Sequence, residues 1–309
     1  MKFLITGGAG FIGSHLAARL RRMGTVRVLD NFRTGKRENL AGIDVELIEG
    51  TIIDPETVRR AMEGIDYVFH LAAMVSVPES VEQPHACVAA NVTGLLHVLE
   101  AASAAGVRRL CLSSSAAVYG DNPISPKTED LAPAPRSPYA VTKLDGEYYC
   151  AQFAATGRLP TVALRYFNVF GPRQNPRSAY AAAVPIFIEQ ALRGQPLTVH
   201  GDGLQTRDFV HVDDIVAANI FAAVEPGLEG VYNVGYGREI TVLELARRVV
   251  ALTRSTSAIV HAPTRAGDVR HSRADVTRLT RAGFRPVSSF EAGLATTIAD
   301  FQQRSAGDR

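Results

Sequence analysis

The sequence predicts a doubly wound α/β fold, a parallel sheet with helices on both faces, and three observations predict it. Short apolar runs alternate with amphipathic helical stretches through the first half, a glycine-rich turn joins the first strand to the first helix, and an aspartate closes the second strand. In such folds the ligand crevice lies beyond the carboxyl ends of the strands, so the residues following each strand carry the chemistry.

Lys2 to Thr6 reads as the first strand, and Ile12, Leu16, Leu20 and Met23 recur at helical spacing just after it. Between them lies Gly7-Gly8-Ala9-Gly10-Phe11-Ile12-Gly13. Glycines suit a tight turn, a close approach to a pyrophosphate and a helix whose N-terminus faces the anion. The second strand, Val26 to Leu29, ends in Asp30, twenty residues after Gly10. A carboxylate there accepts both adenosine ribose hydroxyls and repels a 2′-phosphate, which favours NAD over NADP, with Arg33, Lys36 and Arg37 arguing weakly the other way. Strand Val45 to Ile48 follows, then Asp54-Pro55 as N-cap and first residue of a helix to Met62. Tyr67 to Leu71 is a fourth strand, with the small Ala72-Ala73 at its carboxyl end. A helix over Val88 to Ala105 leads to strand Arg109 to Leu112 and the run Ser113-Ser114-Ser115. This is a Rossmann arrangement spanning 1–170. Beyond Gly171 the pattern changes to prolines 172, 176 and 185 and short strands near Leu197 to Val199 and Val231 to Val234, read as a smaller substrate-binding domain over 171–309. The last residues, Ser305 to Arg309, read as a frayed tail.

Composition narrows the class. The chain has 309 residues, 46% apolar and 21% charged, with a net charge of +2 and the two signs interspersed, which predicts a globular protein with small-molecule partners rather than nucleic acid or a membrane. Cys87, Cys111 and Cys150 form no CxxC pair and no metal-ligand spacing, and so predict a reducing cytoplasm and no metal.

Tyr139-Ala-Val-Thr-Lys143 supplies the candidate reactive group. On a helix the two side chains share a face, so an ammonium stands beside a phenol whose ordinary pKa, about 10, is too high for a base at neutrality. A nearby cation is expected to bring it down, and Ser113 to Ser115 offer a hydroxyl relay.

Taken together, the motifs resemble an extended short-chain dehydrogenase/reductase of the nucleotide-sugar epimerase and dehydratase family. They are the glycine loop from Thr6 to Ser14, His70-Leu71-Ala72-Ala73, Asn91-Val92-Thr93-Gly94, Ser113 to Gly120, Ser137 to Lys143, Arg165 to Arg173 and Arg207 to Asp214. The resemblance covers nearly the whole chain and implies that it returns to the first sheet around 206–235. It implies Tyr139 as base, Lys143 on the nicotinamide ribose and Ser115 on the reacting hydroxyl. For NAD it implies Gly7, Gly10, Phe11, Ile12, Gly13, Asp30, Asn31, Thr34, Gly35, Thr51, Ile52, Leu71, Ala72, Ala73, Asn91, Ser113 and Phe167. The pattern departs at Thr51, where the family usually has an adenine-contacting aspartate.

For a nucleoside diphosphate sugar the resemblance implies Ser76, Ser115, Asn168, Arg207, Arg265, Asp268 and Ser272. Family dehydratases and decarboxylases carry acidic residues directly after the hydroxyl residue, whereas here stand Ala116 and Ala117. A transient 4-keto sugar then has only reduction as an exit, which implies a 4-epimerase. Members restricted to glucose and galactose carry a bulky aromatic seven positions after the phosphate-binding arginine. That position is Ser272, and Gln174 to Ala182 resembles the UDP-N-acetylglucosamine epimerases, so UDP-GlcNAc/UDP-GalNAc, with or without UDP-glucose/UDP-galactose, is the expected substrate pair. Arg177 keeps UDP-glucuronic acid open. A non-catalytic NAD-binding sensor is the alternative class, disfavoured by an intact Ser115, Tyr139 and Lys143. A homodimer through the helices Asn91 to Ala105 and Tyr139 to Ala155 is also implied.

Overall fold

A seven-stranded parallel sheet forms the centre of the computed structural model, which describes residues 1–176, 182–264 and 269–307. Its strands are β1 (Lys2–Thr6), β2 (Thr25–Asp30), β3 (Glu46–Glu49), β4 (Tyr67–His70), β5 (Arg109–Ser115), β6 (Thr161–Tyr166) and, from much later in the chain, β11 (Gly230–Val234). They lie in the order β11-β6-β5-β4-β1-β2-β3, every neighbouring pair parallel. The order reverses between β1 and β4, and the crevice opens at their carboxyl ends.

Alternation along β1 shows why both faces are covered. Phe3 and Ile5 pack on one side with α1 (Phe11–Leu20) and α8 (Val212–Val224), while Leu4 packs on the other with α2 (Pro55–Met62), α5 (Gly94–Ala104) and α6 (Pro138–Ala155). A strand buried on both faces reads as a continuous apolar run, as Phe3-Leu4-Ile5 does.

Between β4 and α5 lie α3 (Val77–Glu82), α4 (Pro84–Val88) and one π-helical turn, Ala89–Thr93. The expected single helix over Val88 to Ala105 is thus interrupted. The wide turn brings Asn91 inward, where its amide Oδ1 accepts from Met74 N at 2.7 Å and Nδ2 donates to Met74 O at 3.0 Å. By length and mean hydropathy, 1.3, the stretch Pro84–Ala104 would suffice to cross a bilayer. Its Leu95, Val98, Leu99 and Ala102 are instead buried against α2 and the sheet.

The second half builds a separate core from Phe170, Phe187, Leu197, Phe209, Leu245 and Phe290. Around it stand β7 (Asn168–Phe170) paired with β10 (Phe209–His211), and β8 (Leu197–His200) paired with β13 (Ile259–Ala262). There too is β9 (Thr206–Arg207), between β12 (Ile240–Thr241) and β14 (His271–Ser272). Helices α7 (Ala183–Leu192), α9 (Val242–Thr253) and α11 (Phe290–Gly307) close that core, and the short α10 (Thr277–Arg281) lies against β11. Between β10 and β12 the chain crosses back to the main sheet, as α8 against β5 and β6 and then as β11 beside β6. Helix α11 runs on to Gly307, past Ser305 where fraying was expected.

Candidate active site

The cofactor end is built on the turn after β1. Gly7 has φ +75°, and a Cβ there would stand 2.7 Å from Ala72 N. A Cβ on Gly13 would stand 2.3 Å from Gly7 O, so the first turn of α1 sits directly on the loop. Gly10 is the N-cap of α1 and offers no side chain, leaving the helix N-terminus open towards an anion. Phe11 and Ile12, the first two residues of α1, are both half-buried.

Asp30 ends β2, almost fully buried. Its Oδ2 accepts from Ala9 N and its Oδ1 from Phe32 N, each at 2.8 Å, which fixes the carboxylate against the glycine loop with lone pairs to spare for a ribose. Lys36 N and the Asn39 amide both donate to Ala9 O, at 3.0 and 2.8 Å, so the following loop is tied to the same residue. Gly35 lies on the Ala9 backbone, while Asn31 and Thr34 are exposed on that loop. Two of the cations after Asp30 are engaged: Arg33 pairs with Glu79, and Arg37 pairs with Glu49 and lies over the Phe32 ring. Across the sheet edge, Thr51 caps its own turn through Ile53 N, and Ile52 is buried against Gly94.

After β4, Thr6 Oγ1 bonds both His70 Nδ1, at 2.9 Å, and Ala72 N, at 3.3 Å, locking the two strand ends together. Leu71 N donates to Thr6 O. His70, Ala72, Ala73, Asn91, Thr142 and Lys143 line a small pocket at this point. The Asn91 amide also donates to Thr142 Oγ1 at 3.0 Å and so couples the turn at Met74 to α6. Ser76 is the N-cap of α3, accepting from Glu79 N.

The reactive trio sits where β5 meets α6. Ser137 caps α6 through Ala140 N, and Tyr139 enters the first turn with its backbone N donating to Ser80 Oγ. Ser115 ends β5, accepts from Ala117 N at 3.1 Å and lies against the Tyr139 phenol. Lys143 Nζ donates to Ser113 O at 2.8 Å and stands 5.8 Å from the centroid of the Tyr139 ring. The Ser113 hydroxyl turns away to Tyr166 OH, so its carbonyl is what faces the site. Burial pushes the Tyr139 phenol up, with Ser115 pulling against it, which corrects the expectation of a depressed phenol. The reason is geometric: the ammonium faces the ring and spends its hydrogen bond on Ser113. Burial also brings Lys143 down to about 8.

On the substrate side, β9 and β14 pair with Arg207 directly beside Ser272, which puts a guanidinium and a short side chain on neighbouring strands. Arg207 Nη1 donates to Thr206 O, and Arg207 and Ser272 are both half-buried. Asn168 N donates to Asp208 O, and the Asp208 carboxylate accepts from the backbone of Tyr236, Gly237 and Ala274, stapling the segment after β11 to the segment after β14. Phe167 is buried in a small cluster with Val118, Tyr119 and Ala274. Arg265 and Asp268, like Arg177 to Ala181, lie outside the described residues.

A family model for the "NAD dependent epimerase/dehydratase family" matches residues 3–235. The chain belongs to this family. It is 37% identical over 313 residues to the UDP-glucose 4-epimerase of Mycolicibacterium smegmatis, across 99% of this chain and all of that one. Among solved structures it is similar to the UDP-N-acetylglucosamine 4-epimerase of Methanobrevibacter ruminantium in complex with UDP-N-acetylmuramic acid, with 38% identity, TM-score 0.95 and 98% of each chain covered. It is also similar to the UDP-glucose 4-epimerase of Thermotoga maritima with UDP-glucose, with 40% identity, TM-score 0.94, and 99% of this chain and 100% of that one covered.

For a member of this epimerase/dehydratase family the residues present fit NAD. The glycine cradle has no room for a Cβ at Gly13, the Asp30 carboxylate is held at the end of β2, and Lys143 is held at the end of β5. Thr6 and Asn39 complete the cradle and were not singled out by sequence; each acts on a partner thirty or more residues away, where no short motif reports it.

Proposed function

We propose that this protein is an NAD-dependent UDP-sugar 4-epimerase working through a transient 4-keto sugar. The observation that carries this reading is the junction of β5 and α6, where Ser115, Tyr139 and Lys143 meet and the next two positions are Ala116 and Ala117. Tyr139 takes the proton of the C4 hydroxyl, Ser115 holds that hydroxyl and the phenol in one hydrogen-bonded line, and Lys143 holds a ribose and lends its charge to the phenolate. Bound NAD supplies the acceptor and donor of the C4 hydride. Because Ala116 and Ala117 follow Ser115, neither of these positions supplies an acid to expel water from the keto sugar. The sugar turns over and is reduced on its other face, which inverts C4, and the phenol returns the proton.

Residues 171–309 are proposed to hold the nucleotide sugar, with Arg207 and Arg265 on the diphosphate, Asp268 on its ribose and Ser272 near the sugar, joined from the first domain by Asn168 on the diphosphate and Ser76 near the sugar. A serine beside Arg207 leaves room for a C2 N-acetyl group, which supports UDP-GlcNAc/UDP-GalNAc as substrates alongside UDP-glucose/UDP-galactose. Three buried free thiols support a reducing cytoplasm, and an apolar strip on α4 and α6 supports a homodimer.

The test is kcat/KM for the N-acetylhexosamine, hexose and hexuronic acid pairs without added cofactor, with Tyr139→Phe and Ser272→Tyr beside the parent. Tyr139→Phe should lose activity by about a hundredfold or more, the usual worth of a positioned acid/base. Ser272→Tyr should lower the N-acetylated pair by about tenfold or more while sparing glucose and galactose. Turnover of UDP-glucuronic acid alone would overturn the neutral-sugar reading, and bound NAD with no turnover of any nucleotide sugar would favour a sensor.

A further inference from the structure

Two turns beyond Tyr139, α6 carries a buried carboxylate that the reaction above does not use. Tyr139, Lys143 and Glu147 are spaced four residues apart and share one helix face. Glu147 is 3% exposed and its partner Arg165, on β6, is 4%. The pair is bidentate: Arg165 Nε donates to Oε1 at 2.9 Å and Nη2 to Oε2 at 2.7 Å. Ser114 Oγ also donates to Glu147 Oε1, and the Arg165 guanidinium lies 4.8 Å from the centroid of the Tyr119 ring.

Set beside the bonds already described, these make a ladder between strand and helix. Ser113 O accepts from Lys143 and Ser114 donates to Glu147, while Ser115 lies against Tyr139, so each of the last three residues of β5 faces one member of the α6 face. A buried ion pair is weak evidence for stability, since apolar replacements of similar volume are often neutral or stabilising. Its orientation matters more. Glu147 follows Lys143 by one helical turn, and Arg165 approaches its carboxylate from β6.

We infer that Glu147, held by Arg165 and Ser114, is a positioning residue that keeps the Lys143 ammonium charged and aligned beside the Tyr139 phenol. Among the described residues, the titratable groups facing Lys143 are few. From β4 comes His70, held neutral by burial; from α4, the Cys87 thiol, itself pushed up by burial; from β5, the Ser113 carbonyl; and from α6 itself, Tyr139 and Glu147. Burial brings Lys143 down, and Cys87 and Glu147 oppose it. With the thiol protonated at neutral pH, Glu147 is the anion in place to do so.

The inference rests on the assignment of Tyr139 and Lys143 above, and the experiment separates the two. The double substitution Glu147→Gln/Arg165→Met removes both buried charges; Glu147→Gln alone, which keeps shape and the Ser114 bond, serves if the double variant does not fold. Two readouts apply. The first is the pH profile of kcat/KM, whose alkaline limb should move to lower pH while Glu147→Asp leaves it in place. The second is 13C NMR titration of ε-labelled lysine in cofactor-free protein, tractable because the chain has only four lysines, Lys2, Lys36, Lys127 and Lys143. In Glu147→Gln Lys143 should titrate about half to one unit lower, the size expected for losing one nearby charge in a buried setting, and in the double variant by less, because the loss of the Arg165 cation offsets part of the change. A Lys143 midpoint and alkaline limb identical to the parent's, even with reduced kcat, would overturn the inference by reducing the pair to a structural tie. Full activity in Tyr139→Phe would instead remove the site assignment, and the inference with it.

Discussion

His70 is fully buried at the end of β4, with Nδ1 on Thr6 Oγ1, and burial reinforced by the Lys143 charge pushes it down to about 3. Because its folded value lies below the unfolded 6.5, the unfolded chain takes up a proton that the folded chain refuses as pH falls through that window. Stability is therefore complete above pH 6.5 and declines below it by about 1.4 kcal/mol per unit until about pH 3. Urea unfolding of parent and His70→Gln between neutral pH and about pH 4 should show the parent losing the larger share. Equal losses would assign acid lability to other groups. At this scale the sequence was partly legible. Asp30 and the Tyr139–Lys143 pair could be read because their meaning lies in spacing along one element. Thr6 on His70, Asn39 on Ala9 and Ser114 on Glu147 could not, since each contact exists only after distant segments are brought together.

Among the elements, β1 and α1 were readable because a buried parallel strand and an amphipathic helix leave different periodicities. The interruption at Ala89–Thr93 was not, because one extra residue in a turn leaves the apolar pattern on both sides intact. That turn is where Asn91 satisfies both backbone groups of Met74. Asn91→Ala would leave a buried donor and acceptor unpaired and should cost about 2–4 kcal/mol in urea unfolding. Asn91→Ala within about 0.5 kcal/mol of the parent would mean that water replaces the amide. Gly13→Ala acts differently. Its Cβ would meet Gly7 O at 2.3 Å, so the glycine loop must shift. NAD affinity by calorimetry should fall by about tenfold or more, since the pyrophosphate is bound by that backbone. Undiminished affinity would show that the loop relaxes freely.

For the whole molecule, the open question is what covers the outer face of α4 and α6. Leu95 and Leu99, on the first of the two helices through which a homodimer is expected, are buried inside the chain. The exposed apolar residues of α4 and α6 are instead Val88 at 46%, Val141 at 43%, Tyr148 at 60% and Tyr149 at 37%. Val88 and Val141 flank a groove of about 440 Å³ that also takes in Pro135, Pro138 and Asp145. Val141 and Tyr148 lie seven residues apart, two turns on one helix face, and Tyr139 and Lys143 hang from the other side of the same helix. A symmetric pairing through this strip would bury it against the same strip of a second copy and brace α6 from behind. Light scattering at micromolar concentration should therefore give about twice the 33.2 kDa chain mass. Tyr148→Glu, which places a charge in the middle of the strip, should give a monomer, and activity should fall with dissociation because the helix bearing the base loses its support. A parent that is already monomeric would end the proposal. A Tyr148→Glu monomer with full activity would confine the dimer to a role apart from the chemistry.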